Sequence, residues 1–297
     1  MKSKLVLIIL VSAFILISGI LILRAARRAG QPPDGKKPAP SFGPARHAVR
    51  TVSRGKPGMV TEVPPDRQVV RKQAKAQAAP RIAIVIDDFG YNMNNIEALF
   101  AVGEPVTLSI LPGQPYSRRI AQLAAEHGYE TMLHLPLESH RGDVREEFDT
   151  IRGGMGKEEI LERIENQIAD VPGLKGVSNH MGSRSTEDPV LMTEIFVYLK
   201  KMGLYFFDSL TSQNTVCADV SARVGLPFAR RDVFLDNSSA AEYIKKQLTQ
   251  ARKIALKKGR AIAVCHDRKS TIAVLADAMP RMSAEGIRFV SLSELVK

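Results

Sequence analysis

Two adjacent acids, Asp87 and Asp88, follow the apolar run IAIVI at residues 82–86. Adjacent carboxylates can divide labour: one binds a divalent cation while the other, raised in pKa by its neighbour, takes up a proton. An Asp turn capping the next helix would use the same residues, so the pair gains meaning only from its company. His134 and His180 provide that company, since each closes another buried-looking run, ETMLH (130–134) and KGVSNH (175–180). One carboxylate with two imidazoles, Asp88, His134 and His180, is a ligand set suited to Zn²⁺ and other borderline divalent cations, with a position left for water. Further polar groups close further runs: Asp208 after LYFF (204–207), Asp236 and Asn237 after DVFL (232–235), and His266 after AIAVC (261–265). One such residue alone passes as a cap or turn former. Three imidazoles and several acids at successive run ends point to a shared site.

The elements behind these residues alternate. Short runs rich in Ile and Val, at 82–86, 106–110, 130–135, 175–179, 204–207, 261–265 and 287–292, read as strands, with a weaker one near 226–230. Helical period fills 93–101, 116–127, 157–169, 188–202, 214–223, 239–258 and 270–284; in the third, Ile160, Leu161, Ile164 and Ile168 make one stripe. Gly128, Gly203, Gly259 and Gly286 stand where helices must stop before the next strand. Seven or eight βα units within 81–297 predict an irregular (β/α) barrel, with a doubly wound open sheet as the other architecture. Both build sites at the C-terminal ends of their strands, which is where the acids and imidazoles stand.

Charge separates this domain from what precedes it. The chain of 297 residues carries a formal net charge of +11, but residues 1–80 hold 15 Lys+Arg against 3 Asp+Glu, whereas 81–297 hold 27 against 28. The domain is therefore neutral, and no basic groove for nucleic acid is expected. Residues 5–23 are uncharged and apolar, flanked by Lys2, Lys4 and by Arg24, Arg27 and Arg28. At ~1.5 Å per residue, a helix of that length spans a bilayer's hydrocarbon core. Residues 1–28 are thus expected to be an N-terminal signal anchor, with a cleaved signal as the alternative, making the membrane a partner. Residues 29–80, punctuated by nine prolines, read as a disordered basic tether. Cys217 and Cys265 exclude a disulfide-stapled scaffold but leave one pairing open.

IVIDDFG (84–90), MLHLPLE (132–138), GVSNHMGSR (176–184), FFDSLT (206–211), RDVFLDN (231–237) and AVCHDR (263–268) occur in this order. Together they resemble the divergent branch of the polysaccharide deacetylase family, over essentially all of 81–297. The resemblance implies an irregular (β/α) barrel that binds a divalent metal, usually zinc, and removes N- or O-acetyl groups from glycans. It implies Asp87 as base, Asp88 as metal ligand and His266 as acid. The family's second motif has two imidazoles; here HLPLE (134–138) replaces the second with Glu138, so His180 is expected to supply the missing nitrogen. Glu138, Asp208, Asp236 and Asn237 are expected to face the sugar or orient the catalytic groups. The family's arginine-proline motif is absent, NHMGSR (179–184) standing in its place. The implied substrate is an acetylated polysaccharide or peptidoglycan fragment. The implied address is extracytoplasmic, anchored in the inner membrane or secreted if the signal is cleaved. A catalytically inactive envelope protein that binds a glycan or partner and keeps a structural metal is the alternative, favoured by Glu138 and the missing arginine motif.

Overall fold

The computed structural model describes residues 79–142 and 145–297. The apolar run at 5–23 and nearly all of the Pro-rich stretch lie outside the described residues; among those described, no helix is long and apolar enough to cross a membrane. In chain order the elements are β1 (Arg81–Phe89), α1 (Ile96–Phe100), β2 (Thr107–Ile110), α2 (Ser117–Glu126), β3 (Glu130–Leu137), α3 (Lys157–Asp170), β4 (Gly176–Met181), α4 (Pro189–Lys201), β5 (Tyr205–Asp208), α5 (Cys217–Val224), β6 (Phe228–Arg230), β7 (Val233–Phe234), α6 (Ala241–Lys258), β8 (Arg260–His266), α7 (Lys269–Ala284) and β9 (Arg288–Phe289). Local chemistry sets many of the boundaries. Asp188 caps α4, its Oδ1 accepting from the N–H groups of Val190 (2.8 Å) and Leu191 (3.1 Å), with Pro189 at the first helical position. Gly259, at φ +78, ends α6 in the left-handed conformation that costs glycine least.

All strand pairs are parallel, in the order β6-β5-β4-β3-β2-β1-β8-β7, with β9 added on β1. The sheet curls, because its two edge strands are successive pieces of one stretch: the Arg231 N–H donates to Asp208 O on one edge and the Asp232 N–H to Ile262 O on the other. The expected barrel is therefore met as a curled parallel sheet with its sixth strand split into β6 and β7, and no ladder joins these two pieces among the described residues. The expected strand at 287–292 shrinks to Arg288–Phe289, since only its start finds a partner, beside Arg81 and Ile82. Residues 292–294 instead form a 3₁₀ turn.

Strand side chains alternate between faces, and each face of the curl has its own core. The outer rows, with Ile82, Ile84, Ile86, Leu133, Leu135 and Phe206, pack under the helices against residues such as Ile164, Ile195 and Leu248. The inner rows, Ala83 and Val85, Met132, Tyr205 and Phe207, Ile262 and Val264, form a second core closed by Val290, Leu292 and Leu295 from the C-terminal segment. Tyr205 fills this interior and donates its hydroxyl to Glu130 at 2.8 Å. Its ring lies where a side chain at position 176 would start: a Cβ on Gly176 would sit 2.3 Å from Tyr205 Cε2. Gly176→Ala is expected to displace that ring and destabilise the domain by on the order of 1–3 kcal/mol, read as a lowered unfolding temperature; an unchanged transition would mean that Tyr205 moves aside freely.

Candidate metal centre

The inner rows continue one step beyond the apolar core, and that step is polar. Ala83 and Val85 lead to Asp87 on β1, Met132 to His134 on β3, Ser178 to His180 on β4, and Ile262 and Val264 to His266 on β8. Parallel strands bring these four residues to one end of the curl, and register refines the match: Asp87 pairs with His266 and His134 with Ser178.

Asp88 has the wrong parity for that face. A shift in the β1–β2 register between Ile86 and Phe89 inserts one extra residue in β1, and Asp88 adopts a left-handed φ of +68°. Such a bulge re-aims a side chain, and Asp is among the residues that tolerate this conformation best. Asp88 Oδ1 consequently lies 3.3 Å from His134 Nε2 and 3.3 Å from His180 Nδ1. One ligand atom from each of the three residues falls within 4.8 Å of the others.

The donor set fits a divalent cation. A separation of 3.3 Å exceeds the ~2.7–2.9 Å of a charge-assisted hydrogen bond. It matches the edge, about 3.3 Å, of a tetrahedron whose corners lie ~2.0–2.1 Å from its centre. The outer side of His134 is also satisfied as a ligand's should be. Its Nδ1 lies 2.8 Å from Ser178 Oγ, which is 2.7 Å from Ser109 Oγ. With Nδ1–H donated to Ser178, Nε2 keeps its lone pair turned toward Asp88. Burial alone would raise the Asp88 pKa, but the close His134 and His180 imidazoles hold its carboxyl far below the usual range.

The flanking groups are pushed in other directions. Asp87 is 3% exposed. Burial raises its pKa, with the Asp88 charge adding to the rise and His134, His266 and the Ser109 hydroxyl opposing it. Its Oδ1, 3.8 Å from His134 Nδ1, is buried without a hydrogen-bond partner. His266 is the converse case. Burial lowers its pKa, but the hydrogen bond to Asp236 and the negative charges around it raise it overall. Its Nδ1–H donates to Asp236 Oδ1 at 2.9 Å, and its Nε2 looks toward Asp88 Oδ2 at 3.8 Å. Asp236 is itself fully buried, and its Oδ2 accepts from the His266 N–H and the Thr271 hydroxyl. These contacts outweigh burial and lower its pKa.

The remaining expected residues stand apart from the cluster. Glu138 directly follows β3, and its carboxylate accepts from the Gly153 N–H (3.0 Å) and meets Arg184 (3.2 Å). It ties loops together rather than replacing an imidazole in the ligand set. Asp208 is buried, accepting from the Leu210 N–H and the Thr215 hydroxyl, and burial raises its pKa. That makes it a brace for the loop after β5. Asn237 is exposed. Cys217 and Cys265 are both buried and free, so the open pairing is not made.

Three contributions escaped sequence reading. Ser109 and Ser178 are polar residues inside otherwise apolar strands, on inner-row positions, and that parity was the available signal. Asp267 accepts from the Asn95 amide at 2.7 Å beside the Asp88 charge. Arg231 was visible as a basic residue after a weak strand, but its use was not. Its guanidinium donates to the carbonyls of Ser209 (2.8 Å) and Leu210 (3.0 Å), lies 4.8 Å over the Phe234 ring, and brings positive charge toward Asp208 and Asp87.

A family model described as divergent polysaccharide deacetylase matches residues 84–296. An uncharacterized protein of Haemophilus influenzae is 34% identical over 218 residues, covering 73% of this chain and 77% of that one. The Escherichia coli protein YibQ is 33% identical over 218 residues, covering 73% and 68%. Among solved structures, an uncharacterized protein from Agrobacterium tumefaciens superposes with a TM-score of 0.70 at 24% identity, covering 74% of this chain and 91% of that one, and so shares the fold.

Ser178→Ala removes the acceptor that fixes the His134 ring. It is expected to weaken zinc affinity by about 10- to 100-fold in a competitive chelator titration while leaving the stoichiometry at saturation unchanged. An affinity equal to that of the unaltered protein would show that His134 is oriented by other contacts.

Proposed function

The chain belongs to the divergent polysaccharide deacetylase family, and on that premise we propose that it is a metal-dependent hydrolase that removes acetyl groups from glycans of the cell envelope. One observation carries this reading: Asp88, His134 and His180 converge within 4.8 Å, flanked by a buried carboxylate, Asp87, whose Oδ1 has no hydrogen-bond partner, and an Asp-backed imidazole, His266. Asp88 Oδ1, His134 Nε2 and His180 Nδ1 would hold the cation, with zinc the natural occupant of an Asp/His/His set. When bound, such a cation polarises an acyl carbonyl and makes water more acidic.

The chain's own groups supply the proton transfers. Asp87 Oδ1 has no competing partner and a pKa pushed up by burial, which suits it to accept a proton from the attacking water. The Ser178 hydroxyl holds the His134 ring and is itself held by Ser109. His266, whose pKa the Asp236 hydrogen bond and the surrounding negative charge raise, donates from Nε2 to the leaving nitrogen or oxygen as the acyl bond breaks. Water is thereby divided between acetate and the released amine or alcohol. Arg231 brings charge toward Asp87 from the loop after β6, the part of the fold nearest in effect to the absent arginine motif. Since envelope glycans lie outside the cytoplasm, the reading includes an extracytoplasmic address, with residues 5–23 as anchor or signal.

The test is direct. The full-length protein is expected to carry one zinc per chain by elemental analysis and to release acetate from N-acetylated chitooligosaccharides or peptidoglycan fragments until a chelator is added. Asp88→Ala and His134→Ala should lose both metal and acetate release. Glycan retention with metal bound but no acetate released would make the protein a binder rather than an enzyme.

His266→Ala should lower kcat by about 10²- to 10⁴-fold with zinc content intact. In Asp236→Asn the partner that raises the His266 pKa is gone, so His266 gives up its proton at lower pH. The alkaline limb of the kcat/KM profile should then move to lower pH; a limb that stays in place would assign it to another group.

A further inference from the structure

Three aromatic side chains stand in water around the mouth of this site. Among the described residues the exposed Phe and Tyr side chains are Tyr91 (45%), Tyr116 (42%) and Phe148 (88%). Each follows one of three neighbouring strands, β1, β2 and β3, at the C-terminal end where Asp88 and His134 stand. Exposed aromatic rings gathered on one side of a site are a binding surface more often than an accident.

The three loops are joined to one another. The Tyr91 hydroxyl donates to Glu147 Oε1, and the Gln114 side-chain amide donates to Glu147 Oε2 at 2.8 Å. The Tyr116 N–H donates to Gly90 O at 2.9 Å. Glu147, the neighbour of Phe148, therefore staples the loops after β1, β2 and β3 into one surface. That surface adjoins the metal-ligand cluster. The Tyr91 phenol is raised in pKa first by burial and by Glu147, and also by the charge of Asp88.

We propose that Tyr91, Tyr116 and Phe148 form an aromatic platform that seats the pyranose rings adjoining the acetylated unit in the site. This rests on the reading of the substrate as a glycan and extends it to a chain of several sugars. The chemistry of the surface selects that occupant. A pyranose offers an apolar C–H face to an aromatic ring and a rim of hydroxyls to polar groups. Here the rings are interleaved with the Gln114 amide and the Glu147 carboxylate, which is the complementary pattern. The Gln114 side-chain amide donates one N–H to Glu147 and has a second N–H and a carbonyl for a sugar hydroxyl, which a purely apolar partner segment would not use.

The experiment compares binding of N-acetylglucosamine and its β-1,4-linked hexamer to the full-length protein by calorimetry. The hexamer is expected to bind at least about tenfold more tightly than the monomer, and Phe148→Ser and Tyr116→Ser each to lower hexamer affinity by roughly three- to tenfold. The double variant should remove the length dependence, and Phe148→Trp should retain it. Phe148 is so exposed that its replacement removes no packing, and matching unfolding temperatures check this. Equal affinity for monomer and hexamer in the unaltered protein, or undiminished hexamer binding in the double variant, overturns the platform. Acetate release is measured separately. Length-dependent binding without acetate release supports the platform and defeats only the hydrolase; acetate release without length dependence does the reverse.

Discussion

Adjacent residues on a strand face opposite ways, and the candidate site exists because this chain breaks that rule once. Asp87 follows the inner row of β1, whereas Asp88 in regular geometry would point under the helices, into an apolar layer where an unpaired carboxylate is costly. The extra residue between Ile86 and Phe89, with Asp88 at φ +68°, turns the second carboxylate back over the inner face. Everything else in the cluster obeys ordinary strand alternation. His134, His180 and His266 arrive because they are the next inner-row residues beyond an apolar core, on strands that all run the same way.

Environment then separates groups that are alike in type. Asp87 and Asp88 are neighbours in sequence, yet burial lifts the pKa of one while two imidazoles depress that of the other. Desolvation falls on both; only Asp88 has partners that outweigh it. The imidazoles divide in the same way. His134 is backed by a hydroxyl, Ser178, which fixes its tautomer without adding charge, whereas His266 is backed by the Asp236 carboxylate, which favours its charged form. The proposed ligand and the proposed proton donor thus differ in what stands behind them rather than in residue type.

The two ends of the curl have opposite characters. Beneath the cluster the inner core is apolar, with Tyr205 and Phe207 filling the interior and Leu292 and Leu295 closing it. Above it, loops are cross-linked by carboxylates such as Glu138 and Glu147, whose hydrogen bonds hold backbone and side chains from separate strand ends. A close-packed apolar base favours precise placement of charged groups, and the loops above carry the surface open to solvent.

Much of this was legible in the sequence. Alternating short apolar runs and amphipathic segments identify a parallel α/β fold, since periodicity reports burial directly. Polar residues closing those runs identify the end that carries the site, and the ordered motifs identify the family. Other features depend on contacts between distant segments and leave no local trace. Glu138 matched a ligand position in HLPLE but is drawn away by Gly153 and Arg184. Residues 287–292 have a strand's composition, yet find a partner for only two of them. Arg231 gained its place because it lies between β6 and β7, which carry it from one edge of the sheet to the other. Residue types and their spacing thus determined which groups reach the C-terminal end of the strands. Tertiary structure decided which of them face one another, because register, the bulge in β1 and competition for hydrogen bonds are settled between strands rather than along them.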